Sequence, residues 1–203
     1  MRLFVALELP STMRARLSFL AGGLPGVRWV PPENYHITLR FIGELPGWRA
    51  DEVDQALAGV RAPGFTLKLS GVGTFEKAGR LASLWVGVER CAALEHLQTK
   101  VETALQRAGV ERERRRFQPH VTLARFGGAR PGGARDGAPV EKVAGWVQSH
   151  NLFRSEPVVM EHFTLFSSLL GKEQAVYEPE VEYSLLAVRG VERGAAQEGA
   201  GLG

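Results

Sequence analysis

Apolar residues along this chain fall into two spacings. Short apolar runs bounded by turn-forming residues read as strands. They occur at residues 3–9 (LFVALEL), 65–75 (FTLKLSGVGTF), 81–88 (LASLWVGV), 158–168 (VVMEHFTLFSS) and 176–188 (VYEPEVEYSLLAV). Apolar residues three or four apart mark helices. The clearest case is residues 92–108, where Leu94, Leu97, Val101, Leu105 and Ala108 fall on one face and Gly109 is a natural stop. Weaker helical stretches cover residues 11–20, with Ser11 as the expected N-cap, and residues 49–60 and 140–148. Two further apolar runs carry an embedded histidine and threonine: YHITLRFIGEL from Tyr35 and PHVTLARFGG from Pro119.

With the two embedded histidines in register, the surroundings repeat. Each half reads strand, helix, histidine strand, helix, strand, strand, with residues 81–88 shared between the halves. Two copies are too few for a solenoid, so this is one duplicated unit. The mixed order and several expected hairpins predict an α+β fold with largely antiparallel sheets. Residues 127–137 (GGARPGGARDG) read as a Gly/Pro/Arg loop, and residues 191–203 lack periodicity and read as a flexible tail.

Composition narrows the classes. The 203 residues are 44% hydrophobic, enough for one sizeable core. A single cysteine, Cys91, excludes an internal disulfide framework and a cysteine-rich metal site, so a cytoplasmic location is expected. No run approaches the roughly 20 apolar residues of a membrane span, so no membrane partner is expected. The opening MRLFVALELP reads as a first strand and not as a leader. The net charge is only +3, but 20 of the 25 basic residues are arginine, and eight of those lie between Arg107 and Arg135. Arginine forks match phosphate oxygens better than lysine does. The cluster, running straight into the second histidine strand, is read either as a solvated surface or as a phosphate-facing patch.

The candidate chemistry lies in the repeated tetrapeptide His36-Ile37-Thr38-Leu39 and His120-Val121-Thr122-Leu123. In a strand, residues i and i+2 share a face, so each copy offers one titratable nitrogen beside one hydroxyl while the apolar pair points into the core. Two such strands supply an acid, a base and two hydroxyl donors around one small anion. Histidine suits the task because its ordinary pKa, about 6.5, lets one copy hold a proton while the other is free. A lone strand histidine is usually structural and threonine is a good strand residue in any case; the matched pairing favours catalysis by His36, His120, Thr38 and Thr122.

RLFVALELP, NYHITLRFIGEL, RFQPHVTLARF and FTLFSS together resemble the RNA 2′,3′-cyclic phosphodiesterases, formerly called 2′-5′ RNA ligases, of the two-histidine phosphoesterase superfamily. The resemblance runs over residues 2–188. It implies a duplicated bilobal fold with two largely antiparallel sheets, helices on the outer faces, and a pseudo-twofold central cleft holding both motifs. Residues 1–190 would then be one bilobal domain of two intertwined repeats. The implied activity is metal-independent opening of a 2′,3′-cyclic phosphate at an RNA end to a 2′-phosphate, with His36 as proton donor and His120 as acceptor. No cofactor is expected, the partners are RNA or a small cyclic nucleotide, and a monomer is expected. Ligation by the same site run backwards and an RNA-binding module without chemistry are the alternatives.

The family pattern also gives Arg125 a role in holding phosphate or ribose. Strict alternation would put Arg125 on the core face, so it must lie at a strand end or past a bulge to reach the cleft. Arg40 lies on the face of His36 by parity and is the second substrate-binding candidate. A third match, His162-Phe163-Thr164-Leu165, aligns with the wrong strand of the repeat, and His162 is read as structural. His96 and His150 read as surface residues. Phe4, Trp85 and Phe126 could stack on a base, although an aromatic in an apolar strand is more often core. No closely spaced His/Cys set or His-Glu-x-x-His offers a zinc site.

Overall fold

A computed structural model describes residues 1–127, 139–171 and 175–187. The loop expected at residues 127–137 and the tail expected at 191–203 lie almost wholly outside the described residues. The chain runs β1 (Arg2–Glu8), α1 (Ser11–Ser18), β2 (Arg28–Trp29), a single 3-10 turn (Pro32–Asn34), β3 (His36–Glu44) and α2 (Gly47–Ala58). It continues with β4 (Phe65–Leu67), β5 (Leu69–Lys77), β6 (Arg80–Val88), α3 (Ala92–Arg107), β7 (His120–Arg125) and α4 (Val140–His150). It ends in β8 (Val158–Met160), β9 (His162–Leu170) and β10 (Ala175–Ser184). The elements follow the apolar spacing closely. One local expectation is overturned: the position before α1 is Pro10, and no side chain caps the helix. Proline with extended backbone suffices to open the helix there, and Ser11 is already inside it.

The strands form one sheet in the order β10-β9-β1-β3-β7-β6-β5, with β2 alongside β7 and a separate β4-β8 pair. Every ladder between these strands is antiparallel. The sheet is two antiparallel halves joined at β3 and β7 by a single register pair, Ile37 opposite Val121. About that pair the order is symmetric: β3 matches β7, β1 matches β6 and β9 matches β5. Strand β9 comes from the end of the chain but joins the first half-sheet, whereas β5 from the first half joins the second. Each half-sheet therefore depends on a strand from the other half of the sequence.

All four helices cover one face. Met13 and Leu17 of α1, Val53 and Leu57 of α2, Leu94, Leu97, Val101 and Leu105 of α3, and Val143 and Trp146 of α4 join one core. The strands contribute Leu3, Val5 and Leu7, Ile37 and Leu39, Leu84 and Val86, and Val121 and Leu123 to the same core. Alternation then sends Phe4, Ala6, His36, Thr38, His120 and Thr122 to the opposite face. A separate small cluster of Phe4, Ala6 and Phe166 floors it.

Candidate active site

Period-two alternation holds along each motif strand for three residues and then breaks at the same place. Ala6 stands opposite Thr38 but Val5 stands opposite Arg40, so Leu39 is an extra residue. Trp85 stands opposite Thr122 but Leu84 stands opposite Ala124, so Leu123 is extra. A bulge of this kind flips the faces of everything after it. Leu39 and Arg40, like Leu123 and Ala124, all turn to the core, and Phe41 and Arg125 come out on the face of the histidines.

This corrects the parity reading of Arg40. It is only 8% exposed and lies on the opposite face from His36. Its Nε donates to Glu102 on α3 at 2.6 Å, and its other nitrogens donate to the carbonyls of Phe41 and Glu111. Glu113 is a second carboxylate within 4.0 Å. A guanidinium so enclosed ties β3 to α3 and to the segment leading into β7; it cannot reach the face of the histidines. Arg125, in contrast, is exposed at the end of β7. The bulge supplies the face change that the sequence required of it.

Because Ile37 and Val121 are paired, the residues on either side bring the histidine of each strand toward the threonine of the other. The two imidazoles are held alike. Nδ1 of His36 donates to the carbonyl of Asn34 at 2.8 Å, and Nδ1 of His120 donates to the carbonyl of Gln118 at 2.7 Å. A carbonyl can only accept, so the proton is fixed on Nδ1 and the Nε2 atoms are the ones left for chemistry. Thr38 and Thr122 are half-buried, as are both histidines.

Aromatic walls complete each side. Around His36 stand Phe4 at 5.0 Å, Tyr177 edge-on at 5.2 Å and Phe166 at 6.4 Å between ring centres. Around His120 stand Phe75 edge-on at 4.8 Å and Trp85 at 6.4 Å. The Trp85 ring lies across Gly73, where a Cβ would sit 2.5 Å from it, so only glycine leaves that ring its place. These walls depress the charged form of the histidines. The His36 pKa falls to about 4, chiefly through burial and further through the Arg125 and His120 charges; the Asn34 hydrogen bond opposes the fall. The His120 pKa is also lowered, by burial first and Arg125 second, against the Gln118 hydrogen bond.

Of the expected base-stacking aromatics, Phe4 is buried at 3% exposure and Phe126 packs on the core, leaving Trp85 at the cleft. Sequence reasoning missed Tyr177 and Phe75, which reach the histidines from strands distant in the chain, and Phe41, which the bulge turns outward. The third tetrapeptide starts at the beginning of β9, where His162 lies 3.4 Å from Glu182. His150 stacks on Trp146 at 4.1 Å and donates to its carbonyl, and His96 is exposed. The arginine-rich stretch divides. Arg114 pairs with Glu111 at 3.3 Å and Arg115 with Glu113 at 2.8 Å, and the hydrogen bonds from Arg115 hold the Glu113 carboxyl down at about 2. Arg116 instead lines a groove of about 820 Å³ beside His120, together with Trp85, Gly87, Arg90 and Gln118. Among the described residues no group of three His, Cys, Asp or Glu side chains could hold a metal ion.

The same duplication is seen in comparison with known proteins. The model of the LigT like Phosphoesterase family matches twice, over residues 7–85 and 86–177. The RNA 2′,3′-cyclic phosphodiesterase of Aeropyrum pernix is 42% identical over 118 residues, 58% of this chain and 66% of that protein. Its Archaeoglobus fulgidus namesake is 28% identical over 181 residues, 88% of this chain and 97% of that protein. The chain spans only 41% of the Geobacillus stearothermophilus namesake, at 38% identity over 60% of its own length. Among solved structures, E. coli LigT complexed with 3′-AMP superposes with a TM-score of 0.69 at 26% identity, covering 91% of this chain and 97% of that one. With matches over both halves and a shared fold, this chain belongs to the LigT-like phosphoesterase family.

Proposed function

We propose that this protein is a hydrolase that opens 2′,3′-cyclic phosphates at RNA ends to 2′-phosphates without a metal. The observation that carries this reading is the matched pair of imidazoles, each tied through Nδ1 to the carbonyl two residues upstream and each presenting Nε2 to the same face. His120 Nε2 takes a proton from water, whose oxygen forms the new bond to phosphorus. The bond from phosphorus to O3′ breaks, and His36 Nε2 gives its proton to that oxygen. One water is consumed, and a 3′-hydroxyl and a 2′-phosphate result. Thr38 and Thr122 donate hydrogen bonds to the phosphoryl oxygens, and Arg125 opposes the charge that gathers there. His36, His120, Thr38 and Thr122 are the catalytic residues of this proposal and Arg125 binds substrate; Arg40 holds the strand.

Burial leaves both imidazoles neutral in the free protein at pH 7, whereas the reaction needs one proton on the pair. The substrate supplies the bias, because an anion placed between the rings stabilises the charged form of the donor. RNA with a cyclic end, or a small cyclic nucleotide, is the partner of this reading, and the cytoplasm its location. No described helix is long and apolar enough to cross a membrane.

The test is incubation of an oligonucleotide carrying a 2′,3′-cyclic phosphate end with the protein in EDTA. A 2′-phosphate product at full rate is expected. Loss of activity in chelator, restored by zinc or magnesium, refutes the metal-free mechanism. A joined product in the presence of a 5′-hydroxyl RNA would identify ligation, and retention without turnover would identify a binding module.

A further inference from the structure

We propose that Arg28 binds the phosphodiester on the 5′ side of the reacting nucleotide, making the cleft selective for RNA ends over isolated cyclic nucleotides. This rests on the reading of the site as a cyclic-phosphate hydrolase.

The short strand β2 pairs with the end of β7, setting Arg28 opposite Arg125 and Trp29 opposite Ala124. Trp29 packs on the helix-side core and Ala124 is fully buried within it. Alternation therefore sends both arginines to the other face, that of the two histidines. Directly opposed residues on one face have neighbouring side chains, and like charges in that relation repel. Both arginines are exposed. Among the described residues neither forms an ion pair with a carboxylate. The Arg28 guanidinium makes one long hydrogen bond, from Nη2 to the Gly127 carbonyl at 3.5 Å, which leaves most of its donors open. The arginines Arg114 and Arg115 differ in that each already holds a glutamate.

Two guanidinium groups side by side on the face of the histidines, neither paired with a carboxylate among the described residues, call for two anionic groups, or for one anion with more charge than a cyclic phosphodiester carries. Arg125 is the nearer to the reaction, since its charge bears on both histidines. Arg28 stands one strand further out, about 5 Å away in the sheet. A 2′,3′-cyclic phosphate uses both lower ribose oxygens, so the RNA can continue only through its 5′ oxygen. The next negative charge is therefore the 5′ phosphodiester, and an arginine fork suits it. Sequence reading could not find this residue. Arg28 precedes the first motif by eight positions, and its strand is two residues long.

The experiment compares Arg28→Gln with the wild type on two substrates: a dinucleotide ending in a 2′,3′-cyclic phosphate and the corresponding nucleoside 2′,3′-cyclic phosphate. Wild-type turnover of the nucleoside substrate tests the hydrolase reading by itself. The ratio of kcat/KM for dinucleotide over nucleoside tests Arg28. Loss of one charge-assisted hydrogen bond should lower that ratio about tenfold, mainly through KM. The salt dependence of dinucleotide binding, read by fluorescence anisotropy, should lose a slope of about 0.7. Arg28→Lys should keep the slope and recover part of the ratio. An unchanged ratio, or equal losses on both substrates, overturns the proposal.

Discussion

The depressed pKa of His36 ties the active site to the stability of the whole protein, and the sign is fixed by burial. In the unfolded chain the imidazole takes a proton near 6.5; in the folded protein it does so only near 4. The unfolded state binds the extra proton first. This contribution to stability is therefore complete above pH 6.5 and is lost as pH falls through the window from 6.5 to 4. Linkage over that difference predicts a loss of about 2 kcal/mol between pH 7 and pH 5. His120 adds a loss of the same sign, so the comparison needs a variant. His36→Asn keeps an amide able to donate to the Asn34 carbonyl but cannot titrate. Urea unfolding at pH 7, 6 and 5 should show the wild type losing about 2 kcal/mol more than His36→Asn over that range. Proton NMR of the His36 ring should give its midpoint directly, and saturating sulfate should move it upward. A midpoint at 6 or above in anion-free protein, or equal losses in both proteins, would refute the assignment of burial as the controlling term.

Other expectations follow from the same geometry. His36→Ala and His120→Ala should each lower kcat by on the order of 10² to 10⁴, far from multiplicatively in the double variant, whereas His162→Ala should stay within a few-fold; single-turnover rates decide. The pH profile of kcat/KM should be a bell with both limbs below 6.5, because both histidines are depressed in the free protein, and a profile centred at pH 7.5 or above would contradict this. With a substrate whose leaving oxygen needs no proton, His36→Ala should recover much of its rate and His120→Ala should not; the reverse result would exchange their roles. Arg40→Leu strands the Glu102 carboxylate and should cost about 3 kcal/mol in urea unfolding, and a loss under 1 kcal/mol would mean solvent already screens the pair.

The short-range patterns of the chain settled a great deal. Helical spacing in residues 92–108 and apolar runs around each motif located the elements, because burial on one face imposes period 3.6 or 2 wherever the partner lies. The matched His-x-Thr tetrapeptides marked the candidate catalytic pair for the same reason, since i and i+2 share a face of any strand.

What the tertiary structure decided begins where alternation stops. Bulges at Leu39 and Leu123 depend on how β3 and β7 fit β1 and β6, and no local pattern records that fit. They put Arg40 in the core, against its parity, and Arg125 on the exposed face of the histidines. The environment of each histidine is likewise non-local. Tyr177 and Phe166 reach His36 from strands more than a hundred residues away, and Phe75 reaches His120 from across the sheet. Arg28 gains a partner in Arg125 only because a two-residue strand happens to lie beside β7. The facing of each histidine and threonine could be read from local spacing because side-chain direction is a property of the strand itself. The protonation state and the reach of the site could not, because desolvation and charge are sums over neighbours that only folding brings together.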